Sequence, residues 1–171
     1  MFSFLKLFLK IYRLIIRKIR GYIILNSVQS HHGEIFVGGK TKLNKNTRLG
    51  RNPNFNGLIV VGSGLVSIGD NFHSGTECLI INSNHNYEGE KIPYDDTHIT
   101  KDVIIEDNVW LGNRVTLLGG ITIGEGAIIQ AGSVVVKSVA PLSIVGGNPA
   151  SVFKYRNREH YFKLKSQGNF H

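Results

Sequence analysis

Histidine is the residue type in this sequence best suited to proton transfer near neutral pH, because imidazole titrates there. Seven histidines are present, and His73, His85 and His98 follow one another at spacings of 12 and 13 residues. One well-placed imidazole can act as a general base, whereas three convergent ones could bind zinc. The two kinds of chemistry require different arrangements of these side chains.

Cys78 is the only cysteine, which excludes an internal disulfide and a cysteine-rich zinc site. It stands four residues after Ser74, where the spacing of the neighbouring apolar residues predicts a small buried side chain. This position argues against a covalent acyl-enzyme formed on its thiol. The cysteine content gives no sign of an oxidising compartment, and we expect a cytoplasmic protein.

Apolar residues recur every six positions over much of the chain. One series stands at Val37, Leu43, Leu49, Phe55 and Val61, and a second at Ile105, Leu111, Leu117, Ile123, Ile129 and Val135. A period of six fits neither an α-helix nor a long alternating strand, but it fits very short strands joined by tight turns. Three hexads would close one triangular coil of about eighteen residues, and stacked coils would bury the phased side chains. The pattern predicts an all-β solenoid.

The six-residue pattern stops between Asn82 and Asp102, where the chain reads NSNHNYEGEKIPYDDTHITKD, and it resumes at Ile105. A polar insertion of this length is expected to leave the solenoid as a loop. Such loops on rigid scaffolds commonly carry function. Of the three spaced histidines, His85 and His98 lie in this insertion, whereas His73 lies within a repeat.

Both ends of the chain are basic, and they account for the formal net charge of +8. Residues 1–20 contain six Lys or Arg and no acid, and residues 151–171 contain five basic residues and one acid. The remainder has nine basic and eleven acidic residues. No nucleic-acid recognition motif accompanies this charge, so we do not expect a nucleic-acid partner.

Residues 1–20 predict an amphipathic helix. Their basic residues recur at three- or four-residue spacing and therefore share one stripe: Lys6, Lys10, Arg13, Arg17 and Arg20. Six cations make a membrane-spanning position costly, and they interrupt the apolar stretch that a signal peptide needs. Two interpretations stay open. The helix lies on an anionic membrane surface, at the inner face of the cell membrane, or it packs on the body or on a neighbouring subunit.

These patterns divide the chain into three segments. Residues 1–30 are the expected amphipathic helix and linker, and residues 31–150 the expected solenoid domain, with an extruded loop at 82–102. Residues 151–171 form a basic C-terminal tail, for which we expect a short helix.

The stretch IIEDNVWLGNRVTLLGGITIGEGAIIQAGSVVVKSVAPLSIVGGNPASVFK, at 104–154, resembles the terminal part of hexapeptide-repeat acyltransferases. The preceding SNHNYEG resembles the histidine-bearing loop of bacterial O-acetyltransferases that modify sugars and surface polysaccharides. The resemblance covers roughly residues 34–154. It implies a left-handed parallel β-helix, a homotrimer with each active site between two subunits, and acetyl-CoA as the acyl donor, with no metal required.

The resemblance also implies roles for individual residues. His85 matches the catalytic histidine, which would act as the general base on an acceptor hydroxyl. Trp110 matches an indole beside the active site, and Asn54 resembles an acceptor-binding asparagine of galactoside acetyltransferases. The expected contacts to coenzyme A, in the groove between subunits, are Asn113, Ala131, Val136, Lys137 and Lys154. A lysine there could meet the coenzyme phosphates, and Ala131 would leave room for the pantetheine arm.

The function expected from these residues is acetyl transfer from acetyl-CoA to a sugar hydroxyl, in capsule, exopolysaccharide or lipopolysaccharide biosynthesis. The acceptor would attack the thioester directly. Three alternatives are an N-acetyltransferase of an amino sugar nucleotide, a non-catalytic membrane-associated scaffold, and a zinc enzyme resembling carbonic anhydrase. The last requires three convergent histidines.

Overall fold

The computed structural model describes residues 2–171, and within the first helix it describes side chains from residue 5 onward. Helix α1 spans Phe2–Leu25 and helix α2 spans Arg158–Ser166. Eighteen short strands lie between them. Sixteen of these strands form three sheets, which we call faces A, B and C, and the other two form a separate hairpin.

The chain visits the three faces in the repeated order A, B, C. Face A contains β1 (Ser30–His31), β3 (Thr47–Leu49), β6 (Val66–Ile68), β11 (Val103–Ile105) and β14 (Ile121–Ile123). Face B contains β2 (Phe36–Val37), β4 (Asn54–Phe55), β7 (His73–Ser74), β12 (Trp110–Leu111), β15 (Ile128–Ile129), β17 (Ser143–Gly147) and β18 (Ala150–Tyr155). Face C contains β5 (Leu58–Val61), β8 (Cys78–Ile81), β13 (Thr116–Leu118) and β16 (Val134–Val135).

The register of the strands confirms the predicted coil. Between Val103 and Val135, partners in successive coils are eighteen residues apart, as in Trp110 with Ile128 and Thr116 with Val134. These pairs are parallel on all three faces, and only β18 runs antiparallel to its neighbour β17. The protein is therefore a parallel β-helix with a helix at each end, and the left-handed sense is what the family resemblance implies.

The second hexad series forms the core as predicted. All six of its members are buried, with at most 1% of the side chain exposed. Smaller residues that stand four positions after members of the series are also buried: Val109, Val115, Ala127 and Ser133. Cys78 is buried in the same column, as its spacing predicted.

The first hexad series needs one correction, at Val61. This side chain is 48% exposed, and Val60 occupies the core instead. Leu58 points inward directly after the corner at Gly57, and side chains alternate between the two sides of a strand. Val60 must therefore also point inward and Val61 outward, which shortens the hexad by one residue.

Residues 82–102 leave the solenoid at the corner between faces C and A. Strands β9 (Ser83–His85) and β10 (His98–Thr100) pair antiparallel and form the base of a hairpin. The hairpin departs after β8, and the chain re-enters the solenoid at β11. Its tip is exposed, and Ile92 has 99% of its surface open to solvent.

Among its described side chains, from residue 5 onward, helix α1 contacts the solenoid only toward its C-terminal end. There Ile24 is buried, the Arg17 guanidinium lies 4.6 Å from the centre of the Phe36 ring, and Arg20 donates to the Gly38 carbonyl at 2.8 Å. From residue 5 to residue 15 every described side chain is exposed. Within residues 2–171, no helix combines the length and the apolar character that crossing a bilayer requires.

The C-terminal segment folds back onto the solenoid. Strand β18 continues face B to Tyr155, beyond the boundary expected at residue 150. Helix α2 then begins at a cap formed by Asn157, whose side chain accepts from the His160 amide at 2.8 Å. Tyr161 is buried, and its hydroxyl donates to Glu125 at 2.8 Å. Lys165 donates to the same carboxylate oxygen at 2.5 Å.

The Glu125 carboxylate therefore anchors α2 in its charged form. Burial alone would raise its pKa, but the hydrogen bonds from Lys165 and Tyr161 outweigh burial and hold the pKa below its ordinary value of 4.5. The pKa of the Tyr161 phenol is raised, first by burial and then by its bond to the carboxylate. Because the pKa of this carboxyl is lower in the folded chain than in the unfolded chain, its charge stabilises the fold at a pH above the unfolded-chain pKa. This contribution is lost as the pH falls through the folded-chain pKa.

We expect Glu125→Gln to lower the Tm at pH 7 by about 2–4 °C, which corresponds to about 1 kcal/mol in a chain of this size. The loss should shrink as the pH falls below 4.5, because the unsubstituted carboxyl then becomes protonated as well. Differential scanning calorimetry between pH 3 and 7 measures both effects. The control is Glu88→Gln, which alters an exposed carboxylate in the hairpin. Equal loss at every pH would contradict the role of the charge.

Candidate active site

His85 ends strand β9, at the base of the hairpin. It stands directly opposite His98 in the β9–β10 register, and the two ring centroids are 4.6 Å apart. The Tyr94 ring stacks on the His85 ring, with the two centroids 3.9 Å apart and an interplanar angle of 13°. All three rings are exposed, so the His85 imidazole is held by stacking while it stays open to a ligand.

Hydrogen bonds within the hairpin hold this aromatic group in place. The Asp95 carboxylate accepts from the amide and the hydroxyl of Thr97, at 2.8 and 2.5 Å, and from the Glu90 amide at 3.2 Å. These bonds, led by that of the Thr97 hydroxyl, lower the pKa of Asp95. The Asn86 amide donates to the Thr97 carbonyl at 3.0 Å. The hairpin is thus a braced loop, which is the arrangement that a positioned catalytic group requires.

A second group of polar and aromatic side chains forms a ladder on the outer side of face B. Asn54, His73 and Trp110 stand opposite one another in successive coils, because β4 pairs with β7 and β7 with β12. Each directly precedes a buried residue of the core column. Alternation along the strand therefore turns all three outward.

Asn54 and His73 differ in their hydrogen bonding. Among the described residues, no donor lies within hydrogen-bond distance of the buried Asn54 Oδ1 atom. Such an atom is unusual in a folded protein and suggests a donor from a ligand or a neighbouring chain. His73 Nε2 accepts from Asn56 Nδ2 at 3.1 Å. The pKa of His73 is lowered, first by burial and then by the charge of His171, so the ring is neutral at pH 7.

A cavity of about 520 Å³ lies beside this ladder, at the corner between faces B and C. We call it the corner cavity. His73, Trp110, Asn113, Ala131 and Phe153 are among its lining residues. Gly112 lets the coils approach here, because a Cβ atom at this position would lie 2.6 Å from the Ala131 amide nitrogen. Two of the five predicted coenzyme A contacts therefore share one cavity with Trp110.

The other predicted coenzyme contacts lie elsewhere on the chain. Lys154 is exposed on β18 and pairs with Ile144, which borders the corner cavity. Val136 and Lys137 follow β16 on face C. Val136 borders a separate cavity of about 340 Å³ that is also lined by Asn82 and Tyr87 of the hairpin segment.

The structure thus separates the predicted site residues into two surfaces of one chain. Asn54, Trp110, Asn113 and Ala131 lie on face B and its corner with face C. His85 lies on the hairpin at the corner between faces C and A, with Val136 near its base. An active site that uses both sets requires a second copy of the chain.

Three histidines do not converge within the chain. His73 is on face B, while His85 and His98 are paired in the hairpin. Among residues 2–171, no three His, Cys, Asp or Glu side chains are grouped closely enough to bind a metal ion together.

The sequence predicts His85 as the general base and assigns no role in the site to His73 or Asn56. A signal for His73 was present. Writing the chain in coils of about eighteen residues places Asn54, His73 and Trp110 in one column, each one residue before a core position. That column marks the outer side of one face.

Comparison with known proteins agrees with this architecture. A profile of the family described as bacterial transferase hexapeptide (six repeats) matches residues 102–137. The galactoside O-acetyltransferase of Escherichia coli strain K12 is 32% identical over 123 residues, which are 69% of this chain and 60% of that protein. A probable macrolide acetyltransferase of Lysinibacillus sphaericus is 54% identical over 55 residues, 32% of this chain and 31% of that one.

A solved structure is similar over most of the fold. The hexapeptide-repeat-containing acetyltransferase of Vibrio cholerae, crystallised with acetyl coenzyme A, superimposes with a TM-score of 0.67 and 25% identity. The similarity covers 78% of this chain and 74% of that one.

The solenoid of short parallel strands and the repeat profile together define a hexapeptide-repeat β-helix protein. The chain belongs to the hexapeptide-repeat acyltransferase family. It matches less than two thirds of the length of the two curated relatives, at 31% and 60%.

Proposed function

We propose that the protein is an acetyl-CoA-dependent O-acetyltransferase that acts on a sugar hydroxyl in surface polysaccharide biosynthesis. The observation that carries this proposal is the pair of complementary surfaces on one chain. One presents an exposed, braced imidazole, and the other a cavity beside the only tryptophan, lined by two of the predicted coenzyme contacts, Asn113 and Ala131. Relatives that acetylate galactosides or bind acetyl coenzyme A support the choice of acceptor and donor.

In this proposal the active protein is a homotrimer. The hairpin of one subunit lies against face B of the next, which brings His85 beside the corner cavity of the neighbour. The exposed hairpin tip supports this arrangement, because Ile92 and Tyr87 leave 99% and 69% of their surfaces open in a single chain.

His85 would act as the general base. It removes the proton of the acceptor hydroxyl as the oxygen attacks the thioester carbonyl, which forms the ester bond. The imidazolium then returns the proton to the leaving thiolate, so coenzyme A departs as a thiol. The acetyl-CoA itself supplies the activated acyl group. Asn113 would line its path mainly through the backbone, because its Oδ1 already accepts from the Thr76 amide at 2.9 Å.

The test of this function compares hydroxyl and amine acceptors. The protein is incubated with acetyl-CoA and methyl hexosides or amino sugars, and free thiol and acetylated product are measured. We expect base-labile O-acetyl esters on the hexosides. Base-stable amides alone would favour the N-acetyltransferase alternative. A protein that does not bind coenzyme A would favour the non-catalytic scaffold.

Helix α1 supports a further part of the proposal, a peripheral contact with the inner face of the cell membrane. Residues 5–15 of this helix carry an exposed apolar surface that includes Leu7, Phe8 and Ile11. Lys6 and Lys10 lie on the same exposed portion. Apolar side chains beside a basic stripe suit a helix that lies in the interface of an anionic bilayer.

We expect the protein to sediment with vesicles of phosphatidylglycerol at low salt and much less with phosphatidylcholine alone. The double variant Lys6→Glu/Lys10→Glu should weaken binding at least about 30-fold, because each basic residue near the surface contributes about 1 kcal/mol. The matched control is Lys40→Glu/Lys45→Glu, which reverses two exposed lysines on the solenoid. Equal sedimentation of both variants would refute the membrane contact and favour packing of α1 on another subunit.

A further inference from the structure

A third cavity lies between face B and the C-terminal segment, residues 156–171, and we call it the tail cavity. Its volume is about 450 Å³. The solenoid contributes His73 and Trp110 to its wall, and the C-terminal segment contributes Arg156, Phe170 and His171. Cavities of about 300–1,000 Å³ with an aromatic lining and a few polar groups are typical small-molecule sites.

The C-terminal segment that forms the outer wall is held at two places. At one side, Tyr161 and Lys165 are bonded to Glu125, as described above. At the other side, Asn52 Nδ2 donates to the His171 carbonyl at 2.9 Å, and the His171 ring meets the His73 ring edge-on at 5.7 Å. The wall therefore has a defined position over the solenoid surface.

The tail cavity and the corner cavity share two lining residues, His73 and Trp110. The corner cavity contains Asn113 and Ala131, which the proposed function assigns to the acyl donor. Group transfer requires the donor and the acceptor to be held with their reacting atoms close together. The tail cavity adjoins the corner cavity through His73 and Trp110. It is therefore placed where an acceptor must lie.

The chemistry of the wall fits a sugar ring. Trp110 and Phe170 are each about half exposed, at 50% and 47%, and offer apolar surface to the carbon-bound hydrogens of a pyranose. His73 and His171 offer ring nitrogens for hydroxyl groups. Because His73 Nε2 accepts from Asn56, its ring proton is on Nδ1, and this N–H is a hydrogen-bond donor.

We propose that the tail cavity binds the acceptor, a hexose-sized ring that carries the hydroxyl to be acetylated, and that Phe170 and His171 form its recognition wall. The proposal rests on the proposed O-acetyltransferase function and adds the location of the acceptor. Acceptor selectivity would then reside in a segment beyond residue 154, outside the part of the chain that resembles the family.

The test uses the full chain with Phe170→Ala, and with Phe162→Ala as the matched control. Phe162 has a similar exposure, 42%, but packs on Tyr161 and Arg158 of the same helix. The probes are the methyl glycosides of glucose, galactose and N-acetylglucosamine, with acetyl-CoA as donor. Binding is followed by the fluorescence of Trp110, the only tryptophan, and transfer by thiol release.

We expect Phe170→Ala to raise the KM of the best methyl glycoside about tenfold, the loss of roughly one aromatic contact. The Kd for coenzyme A should stay within twofold, and Phe162→Ala should change neither value. An unchanged acceptor KM in Phe170→Ala would overturn the assignment. So would a raised Kd for coenzyme A with an unchanged acceptor KM, because the cavity would then belong to the donor.

These outcomes are distinct from failure of the proposed function. If the protein transfers acetyl groups and Phe170→Ala leaves the acceptor KM unchanged, the proposed function stands and only the acceptor site is refuted. If the protein binds neither coenzyme A nor any of the three glycosides, both the proposed function and the acceptor site are refuted.

Discussion

Replacing His85 by alanine will lower kcat for acetyl transfer to a hydroxyl acceptor by about 10²–10⁴-fold, the usual contribution of a general base. A hydroxyl is a poor nucleophile while it retains its proton, so loss of the base affects the chemical step directly. The Kd for coenzyme A should stay within twofold, because in the proposed mechanism the imidazole takes the proton of the acceptor hydroxyl and does not hold the coenzyme. Steady-state kinetics and a coenzyme A titration measure the two effects.

His98→Ala is the matched control for His85. The two rings are opposite each other in the same hairpin, at 4.6 Å, and both are exposed. We expect His98→Ala to lower kcat less than about tenfold, through the loss of a stacking neighbour and not of the base. Full transfer activity in His85→Ala would refute the assignment. A large loss in His98→Ala alone would move the role to that residue.

Mixed trimers test whether His85 acts on the neighbouring subunit. His85→Ala and Trp110→Ala chains each lack one half of the proposed site. Because a cyclic trimer has head-to-tail contacts, some interfaces in a mixture combine an intact His85 with an intact Trp110. When the two proteins are unfolded and refolded together, activity should therefore rise above the sum of the two variants measured separately. No recovery would show that both residues serve one chain's own site.

Replacing Leu117 by alanine should have the largest effect on stability. This side chain is fully buried on β13, between Ile80 and Val135 of the adjacent coils. Removing it leaves a cavity in a column that neighbouring coils cannot collapse without breaking their register. We expect a loss of about 2–5 kcal/mol, or about 4–20 °C in Tm. Thermal unfolding followed by circular dichroism measures it.

Leu118 provides the control, since it is the next residue of the same strand and has the same side chain. It pairs with Ile81 on the outer side of face C and is only partly buried. Leu118→Ala should cost about 1 kcal/mol or less. Equal losses for the two variants would contradict the assignment of inner and outer sides along β13.

The hexad spacing was enough to predict the core of the second series, from Ile105 to Val135. Each coil there has the same length, so the sequence period and the spatial period coincide. The prediction was wrong at Val61, because the inward residue after a corner is decided by the backbone at Gly57 and by strand alternation. Counting six residues at a time along the sequence does not show that one hexad is a residue shorter than the others.

The polar insertion and its histidines could also be recognised from the sequence, because interruption of a regular pattern is a local feature. The stacking of His85 on Tyr94 and its contact with His98 could not, since both depend on the register of β9 with β10 and on the turn between them. The assignment of His85 as the base stays a prediction.

The sequence by itself determined the repeated coil, the extruded segment and the basic helix at the start, because each follows from spacing between near neighbours. Only the tertiary structure decided that Trp110 and His73 share a wall between two cavities and that Phe170 and His171 close one of them. It also showed that His85 lies on a different surface from Trp110. These arrangements join residues from separate coils, from the hairpin and from the C-terminal segment. They arise from how rigid elements stack and fold back, which no local pattern records.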